Sequence, residues 1–215
     1  RKKQGWLNMF SARMFFEKGL CLSEEHIITR LADESKIKMV KKGRLLVEEG
    51  EIQSLLFFMI EGVVRGYVIK ADGQDITDCF VYKYGDVAVG INGLTGPSRI
   101  NIETMSDCKL LVLPASLILS LMEESQEVLQ LYNKLLLIGL DRHWQEKINL
   151  LSCSAMQRYL WFLENYPNLI DLVGNKYIAS FLGMTPATLS RLRRRLREME
   201  GFGIRALDRV KSIYF

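Results

Sequence analysis

Tyr177-Ile178-Ala179-Ser180-Phe181-Leu182-Gly183-Met184-Thr185-Pro186-Ala187-Thr188-Leu189-Ser190-Arg191-Leu192 carries the signals for two short helices joined by a tight turn. Ile178 and Leu182 lie four apart, which puts both on one helical face. Ala179 is small enough to let a second helix cross close by. Gly183 stands where the first helix must end, because glycine enters the left-handed backbone region at little steric cost. Thr185 is a good N-cap, and Pro186 suits the first helical position, where its missing N–H costs nothing. Leu189, Leu192, Leu196 and Met199 then recur at spacings of three, four and three, a stripe that holds the second helix to its domain. Ala187, Arg191, Arg194 and Arg195 fall on another face, with Ser190 beside it. A helix that enters the major groove of DNA needs short polar groups near its N-terminus and arginines placed for base edges and phosphates. The candidate DNA-contacting residues are therefore Thr185, Thr188, Ser190, Arg191, Arg194 and Arg195. An amphipathic surface helix with solvated arginines is the alternative, and it leaves the turn landmarks unexplained.

Charge around this segment is uneven. Residues 151–215 carry 10 Lys/Arg against 5 Asp/Glu, and five of the ten are Arg191, Arg193, Arg194, Arg195 and Arg197. Residues 1–150 carry 19 against 20. A near-neutral body with a basic end points to a polyanion at that end. Upstream, residues 125–150 contain no Pro and one Gly, and read as a long helix. Leu129, Tyr132, Leu136, Gly139 and His143 make a seam suited to pairing with a second copy, while Val128, Leu131, Leu135 and Ile138 broaden the apolar face. Burial within one subunit is the other use for such a helix. Ser154 to Tyr166 reads as a further helix that stops before Pro167.

Residues 36–113 have a different texture. Short runs rich in Val, Ile, Phe and Tyr (45–47, 55–60, 63–69, 76–82) are punctuated by Gly43, Gly50, Gly62 and Gly85. Ala71-Asp72-Gly73-Gln74 is the hairpin signal between two of them. Evenly spaced short strands predict an antiparallel barrel or jelly roll, with a sandwich left open. Ser23 opens a short helix through Ile27, Ile28 and Leu31. The expected fold class is thus α+β: an N-terminal antiparallel β-roll over 1–124, a pairing helix over 125–150, and a DNA-binding domain over 151–215. Ile204–Phe215 is the candidate wing of that last domain.

The composition, 48% apolar and 25% charged, is that of an ordinary globular protein. No apolar run is long enough to span a membrane, and the N-terminus lacks a leader pattern, so a cytoplasmic protein with no membrane partner is expected. Cys21, Cys79, Cys108 and Cys153 are scattered and read as buried, reduced thiols. No catalytic constellation or P-loop is present. A cupin-like enzyme would need histidines on its barrel strands, and residues 36–113 contain none. No metal site is expected. An adaptor that kept the fold and lost DNA affinity is the remaining alternative.

Tyr177 to Arg194 resembles the helix-turn-helix of the Crp/Fnr family of bacterial transcription regulators. Lys41 to Tyr67, with glycines at 43, 50 and 62, resembles that family's opening strands, and the order of parts agrees over residue 36 to the end. The resemblance implies a cyclic-nucleotide-binding-type β-roll, a long dimerisation helix and a winged helix-turn-helix. It also implies a homodimer on palindromic double-stranded DNA that recruits or blocks RNA polymerase. Ser190 and Arg191 match positions that commonly contact bases in the family. Where Ala187 stands, the family often has a Glu that accepts from cytosine, so the resemblance does not carry the usual half-site preference over to this chain.

Nucleotide binders of this family hold the ribose with a Gly-Glu pair and the phosphate with an Arg followed by Ser or Thr. Here Gly85-Asp86 and Arg99-Ile100 stand in those places. Asp is one methylene short, and Ile100 has no hydroxyl. Asp86 and Arg99 are the candidate effector residues, with a cyclic nucleotide, another small ligand or a pocket that binds nothing all open. Only Cys21 lies near the N-terminus, which rules out a four-thiolate iron–sulfur cluster within one chain.

Overall fold

The computed structural model describes residues 11–90 and 94–201. The expected wing, Ile204–Phe215, lies outside the described residues. Within them the fold is α+β with antiparallel strands, as the strand spacing predicts. Contacts divide the chain into two compact units. The first reaches to Val68 and takes in Asp78–Gly139; the second holds Ile69–Thr77 and the chain from Leu140 onward.

Strands β1 (Lys36–Val40), β2 (Leu45–Val47), β3 (Leu55–Glu61), β4 (Val64–Ile69), β5 (Asp75–Val81), β6 (Val87–Ala88), β7 (Asn101–Thr104) and β8 (Cys108–Pro114) form two four-stranded sheets, which belong to the first unit except for Ile69 and Asp75–Thr77. Their orders are β1-β8-β3-β6 and β2-β7-β4-β5. The runs in β3 and β8 are continuously apolar because both faces of the first sheet are covered, so the period-two alternation of side chains sends each neighbour into a different core. Phe57, Met59, Leu110 and Val112 point between the sheets, with Val64, Ile100, Ile102 and Cys108. Leu56, Phe58, Leu111 and Leu113 point the other way, under a helical layer.

That layer comprises α1 (Ala12–Met14), the π-helical turn Phe15–Gly19, α2 (Glu25–Glu34), α3 (Ala115–Glu124) and the start of α4 (Gln126–Ser152). It contributes Phe15, Phe16, Ile27, Ile28, Leu31, Leu121 and Val128, each at most 3% exposed. Two helix starts cap one another. Glu127 accepts from the Ser23 N–H and hydroxyl, both at 2.8 Å, and from the Glu24 N–H at 3.0 Å. Ser125 donates its hydroxyl to Glu24 at 2.8 Å and accepts from the Val128 N–H at 3.2 Å. Burial opposes ionisation of Glu127, but these three donors outweigh it and hold the carboxyl below its ordinary range.

Gly62 shows why one turn must be glycine. Its φ is +115°, and an added Cβ would sit 2.6 Å from the Cys108 Sγ and 2.9 Å from the Asp107 carbonyl oxygen. Among the four thiols only Cys108 is buried; Cys79 and Cys153 are half-buried and Cys21 is exposed, which corrects the expectation of uniform burial. The reason for Cys21 is local: it occupies a left-handed turn at φ +60°, between the π-helical turn and α2.

In the second unit the hairpin tip forms as expected, with Gly73 at φ +82° and the Lys70 N–H bonded to the Gln74 carbonyl at 2.9 Å. The helices are the end of α4, α5 (Ala155–Asn165), α6 (Leu169–Leu172), α7 (Asn175–Phe181) and α8 (Pro186–Gly201). Ser154 and Gln157 form a reciprocal capping box at the start of α5. The core here holds Met156, Leu160, Phe162, Leu169, Ile178, Ala179, Leu182 and Leu189. Tyr166 stacks on Phe162 at 5.2 Å and meets Phe181 edge-on at 5.4 Å.

Candidate functional site

The turn between α7 and α8 is built as its sequence dictates. Gly183 has φ +61° and closes α7 with a pair of backbone bonds, Met184 N–H to Ala179 carbonyl at 2.9 Å and Gly183 N–H to Ser180 carbonyl at 3.0 Å. Thr185 then caps α8, its hydroxyl oxygen accepting from the Thr188 N–H at 3.1 Å. The two threonine hydroxyls are 2.9 Å apart, and Arg191 Nη2 donates to the Thr188 hydroxyl at 3.4 Å. A short chain of hydroxyls thus biases the Arg191 side chain along the first turn of the helix.

Leu189 is fully buried and Leu196 is 7% exposed, so α8 is held by the stripe that the spacing predicts. Ala187, Ser190, Arg191, Arg194 and Arg195 are all exposed, at the three-and-four spacing of one helical face. Thr185 is exposed at the cap and Thr188 is half-buried beside it. The candidate residues of this helix therefore lie together along the cap and the exposed side of α8. Arg194 also lies 3.6 Å from Glu198, one turn on. Arg193 is different: its Nη1 donates to the Asn175 Oδ1 at 2.6 Å, tying α8 to the start of α7. Its place next to Leu192, on the buried side, is the signal that sets it apart from the other arginines.

Two supports have no local sequence signature. Arg158 on α5 donates from Nη1 to the Leu150 carbonyl at 3.1 Å and from Nη2 to the Gly183 carbonyl at 3.5 Å, joining the end of α4 to the α7–α8 turn. Glu146 on α4, 7% exposed at its side chain, accepts from the Tyr166 hydroxyl at 2.5 Å and faces His143 Nδ1 at 3.3 Å. Both join residues distant in sequence, which no short motif reports.

Helix α4 presents Leu137, Leu140, Trp144, Ile148 and Leu151 at spacings of three, four, four and three, each between 54% and 79% exposed. Leu136 is 51% exposed, as the expected seam requires, but Tyr132 packs on the helical core of the first unit. The apolar stripe left open is thus the face next to that seam. Val128, Leu131 and Leu135, the set expected to broaden the apolar face, pack on that same core with Tyr132.

The candidate effector residues Asp86 and Arg99 both belong to the first unit. Arg99 is exposed and Asp86 half-buried. Packing inside the roll is close at Gly66, where an added Cβ would lie 2.7 Å from Ile100 and 2.8 Å from the Cys79 Sγ. Polar groups beside it bond to the protein itself. Gln53, 6% exposed, donates to the Leu55 and Ala88 carbonyls at 2.8 and 2.9 Å and accepts from the Gly90 N–H at 2.8 Å. Ser98 donates to the Ile100 carbonyl at 2.6 Å. Arg65, buried, pairs with Glu103 at 2.6 Å and lies over the Tyr67 ring at 4.2 Å. Among the described residues, no group of three or more His, Cys, Asp or Glu side chains is placed to hold a metal, and no helix is long and apolar enough to cross a membrane.

Residues 37–125 match the family model of the cyclic nucleotide-binding domain. Several solved structures are similar over most of the chain. FixK2 from Bradyrhizobium japonicum is 22% identical, with a TM-score of 0.67 over 77% of this chain and 86% of that one. A Eubacterium rectale protein assigned to the Crp/Fnr family of transcriptional regulators is 19% identical, with a TM-score of 0.65 over 84% and 85%. CLP of Xanthomonas campestris, a c-di-GMP responsive global regulator, is 14% identical, with a TM-score of 0.65 over 81% and 92%. At these identities the likeness is one of fold. No curated protein matches the chain. Within the matched residues, Arg99, the arginine expected at the phosphate, is exposed, and Asp86, expected at the ribose, is half-buried.

Proposed function

We propose, for a chain whose residues 37–125 match the cyclic nucleotide-binding domain family and whose fold is that of the Crp/Fnr regulators, a dimeric, sequence-specific DNA-binding transcription regulator. The exposed Ala187, Ser190, Arg191 and Arg194 face, on a helix anchored by buried Leu189 and Leu196, carries this reading. Helix α8 lies in the major groove with its N-terminal residues against the base edges. Arg191 reaches a base edge, for which its planar fork suits the O6 and N7 of guanine. Arg194 and Arg195 neutralise phosphates, and Thr185, Thr188 and Ser190 offer hydroxyls at the tip.

Two copies pair through α4. Its open stripe of Leu137, Leu140, Trp144, Ile148 and Leu151 is an exposed apolar surface of the kind that marks an interface, and a symmetric pair of helices is the commonest way to cover one. The chain works in the cytoplasm, with RNA polymerase as its further partner and no catalytic role. Selection of bound sequences from random duplexes tests the proposal, with a palindromic site as the expected outcome. On that site Arg191→Ala costs about 1–3 kcal/mol and blurs base preference, whereas Arg194→Ala weakens all sequences alike. Unchanged affinity in both variants removes α8 from the interface.

A further inference from the structure

The tip of α8 presents an unusual set of groups for base reading. Ala187 is exposed in the first turn, and Ser190 and Arg191 follow it on the same face. The polar neighbour of Ala187 is already engaged within the helix: the Thr188 N–H donates to Thr185 at 3.1 Å, and its hydroxyl lies 2.9 Å from that of Thr185 and 3.4 Å from Arg191 Nη2. What projects at position 187 is a bare methyl group. It offers no hydrogen bond, so any base donor or acceptor pressed against it would lose water without gaining a partner. In the major groove one base edge meets such a group without that loss, the C5-methyl of thymine. Ala187 and Arg191 are four residues apart, about 6 Å along the helix axis. Stacked base pairs are separated by about 3.4 Å, so the two side chains address base pairs one or two steps apart.

Resting on the assignment of α8 as a groove-entering helix, we infer that Ala187 reads a thymine methyl group one or two base pairs from the guanine read by Arg191. The preferred half-site therefore pairs these two bases at that spacing.

The test uses the full chain and the duplex recovered by selection, with deoxyuridine replacing each thymine of a half-site in turn. Deoxyuridine removes the methyl group and leaves the hydrogen-bonding edge intact. At one position, one or two steps from the guanine, affinity should fall roughly three- to fivefold, the scale of one buried methyl group. Cytosine and 5-methylcytosine placed there should differ by a similar factor in favour of the methylated base. Ala187→Gly should erase the thymine–uracil difference, and Ala187→Glu should erase it and favour cytosine, whose N4 amino group donates to a carboxylate. Arg194→Ala should preserve the difference while weakening binding. If uracil is tolerated at every thymine while sequence-specific binding persists, the role of Ala187 is refuted and the DNA-binding proposal stands. If the uracil effect persists in both Ala187 variants, another group reads the methyl and the inference is likewise overturned. If no sequence is selected at all, both fail together.

Discussion

Gly183→Ala isolates the turn that sets α8 at its angle to α7. The backbone there is left-handed, at φ +61°, a region that costs a side-chain-bearing residue about 1–2 kcal/mol. The new Cβ would lie 3.1 Å from Leu150 Cδ2, the flexible end of a side chain that must give by a few tenths of an ångström. Alanine also narrows the unfolded ensemble, which offsets the loss by about 0.4–1 kcal/mol. The net destabilisation is about 1 kcal/mol, read as a lower urea midpoint at unchanged slope. Gly183→Asn separates the two causes, since asparagine tolerates the left-handed region better while carrying the same Cβ. A smaller loss for Asn than for Ala assigns the cost to φ, and equal losses assign it to the Leu150 contact. A Gly183→Ala protein with the wild-type midpoint refutes the account of the turn.

The same structure sets the outcome of other substitutions. Tyr166→Phe removes the hydroxyl that donates to the buried Glu146 carboxylate, and should cost about 1–3 kcal/mol in denaturant melts. Glu127→Ala removes the shared cap of two helix starts and should cost about 1–2 kcal/mol by the same measurement. The Glu127 carboxyl is held below its ordinary range, so its contribution is present above the unfolded-state value and is lost as pH falls through the folded one. Acid titration of stability should therefore be shallower in Glu127→Ala than in wild type. Leu140→Glu with Trp144→Glu places charge on the open stripe of α4 and should convert a dimer to a monomer in sedimentation. An unchanged dimer would exclude that face.

The features that one stretch of chain decides were legible in the sequence. Gly183, Thr185 and Pro186 specify a turn and a cap through their own backbone preferences, and Leu189 and Leu196 specify the buried side of α8 by spacing alone. The strand region was legible from its glycines and apolar runs. Contacts between distant segments were not. Nothing near Arg158 announces that it reaches both Leu150 and Gly183, and nothing near Arg193 announces Asn175. The open face of α4 lies about one residue from the expected seam because two apolar sets share that helix, and only the core of the first unit decides which set is covered. Gly85-Asp86 and Arg99 were candidates by position in the chain. Ile100 and Cys79 meet at Gly66 through strand register across the roll, a contact that no single stretch of chain reports.

The central claim is that α8 meets DNA through its arginine face, and the salt dependence of binding tests it most directly. On a selected duplex, the logarithm of the binding constant should fall linearly with the logarithm of salt concentration, through release of counterions from the phosphates. The slope should shrink by about one unit per DNA-contacting helix in Arg194→Ala. A flat dependence, or a slope identical in wild type and Arg194→Ala, would contradict the assignment of this face to DNA.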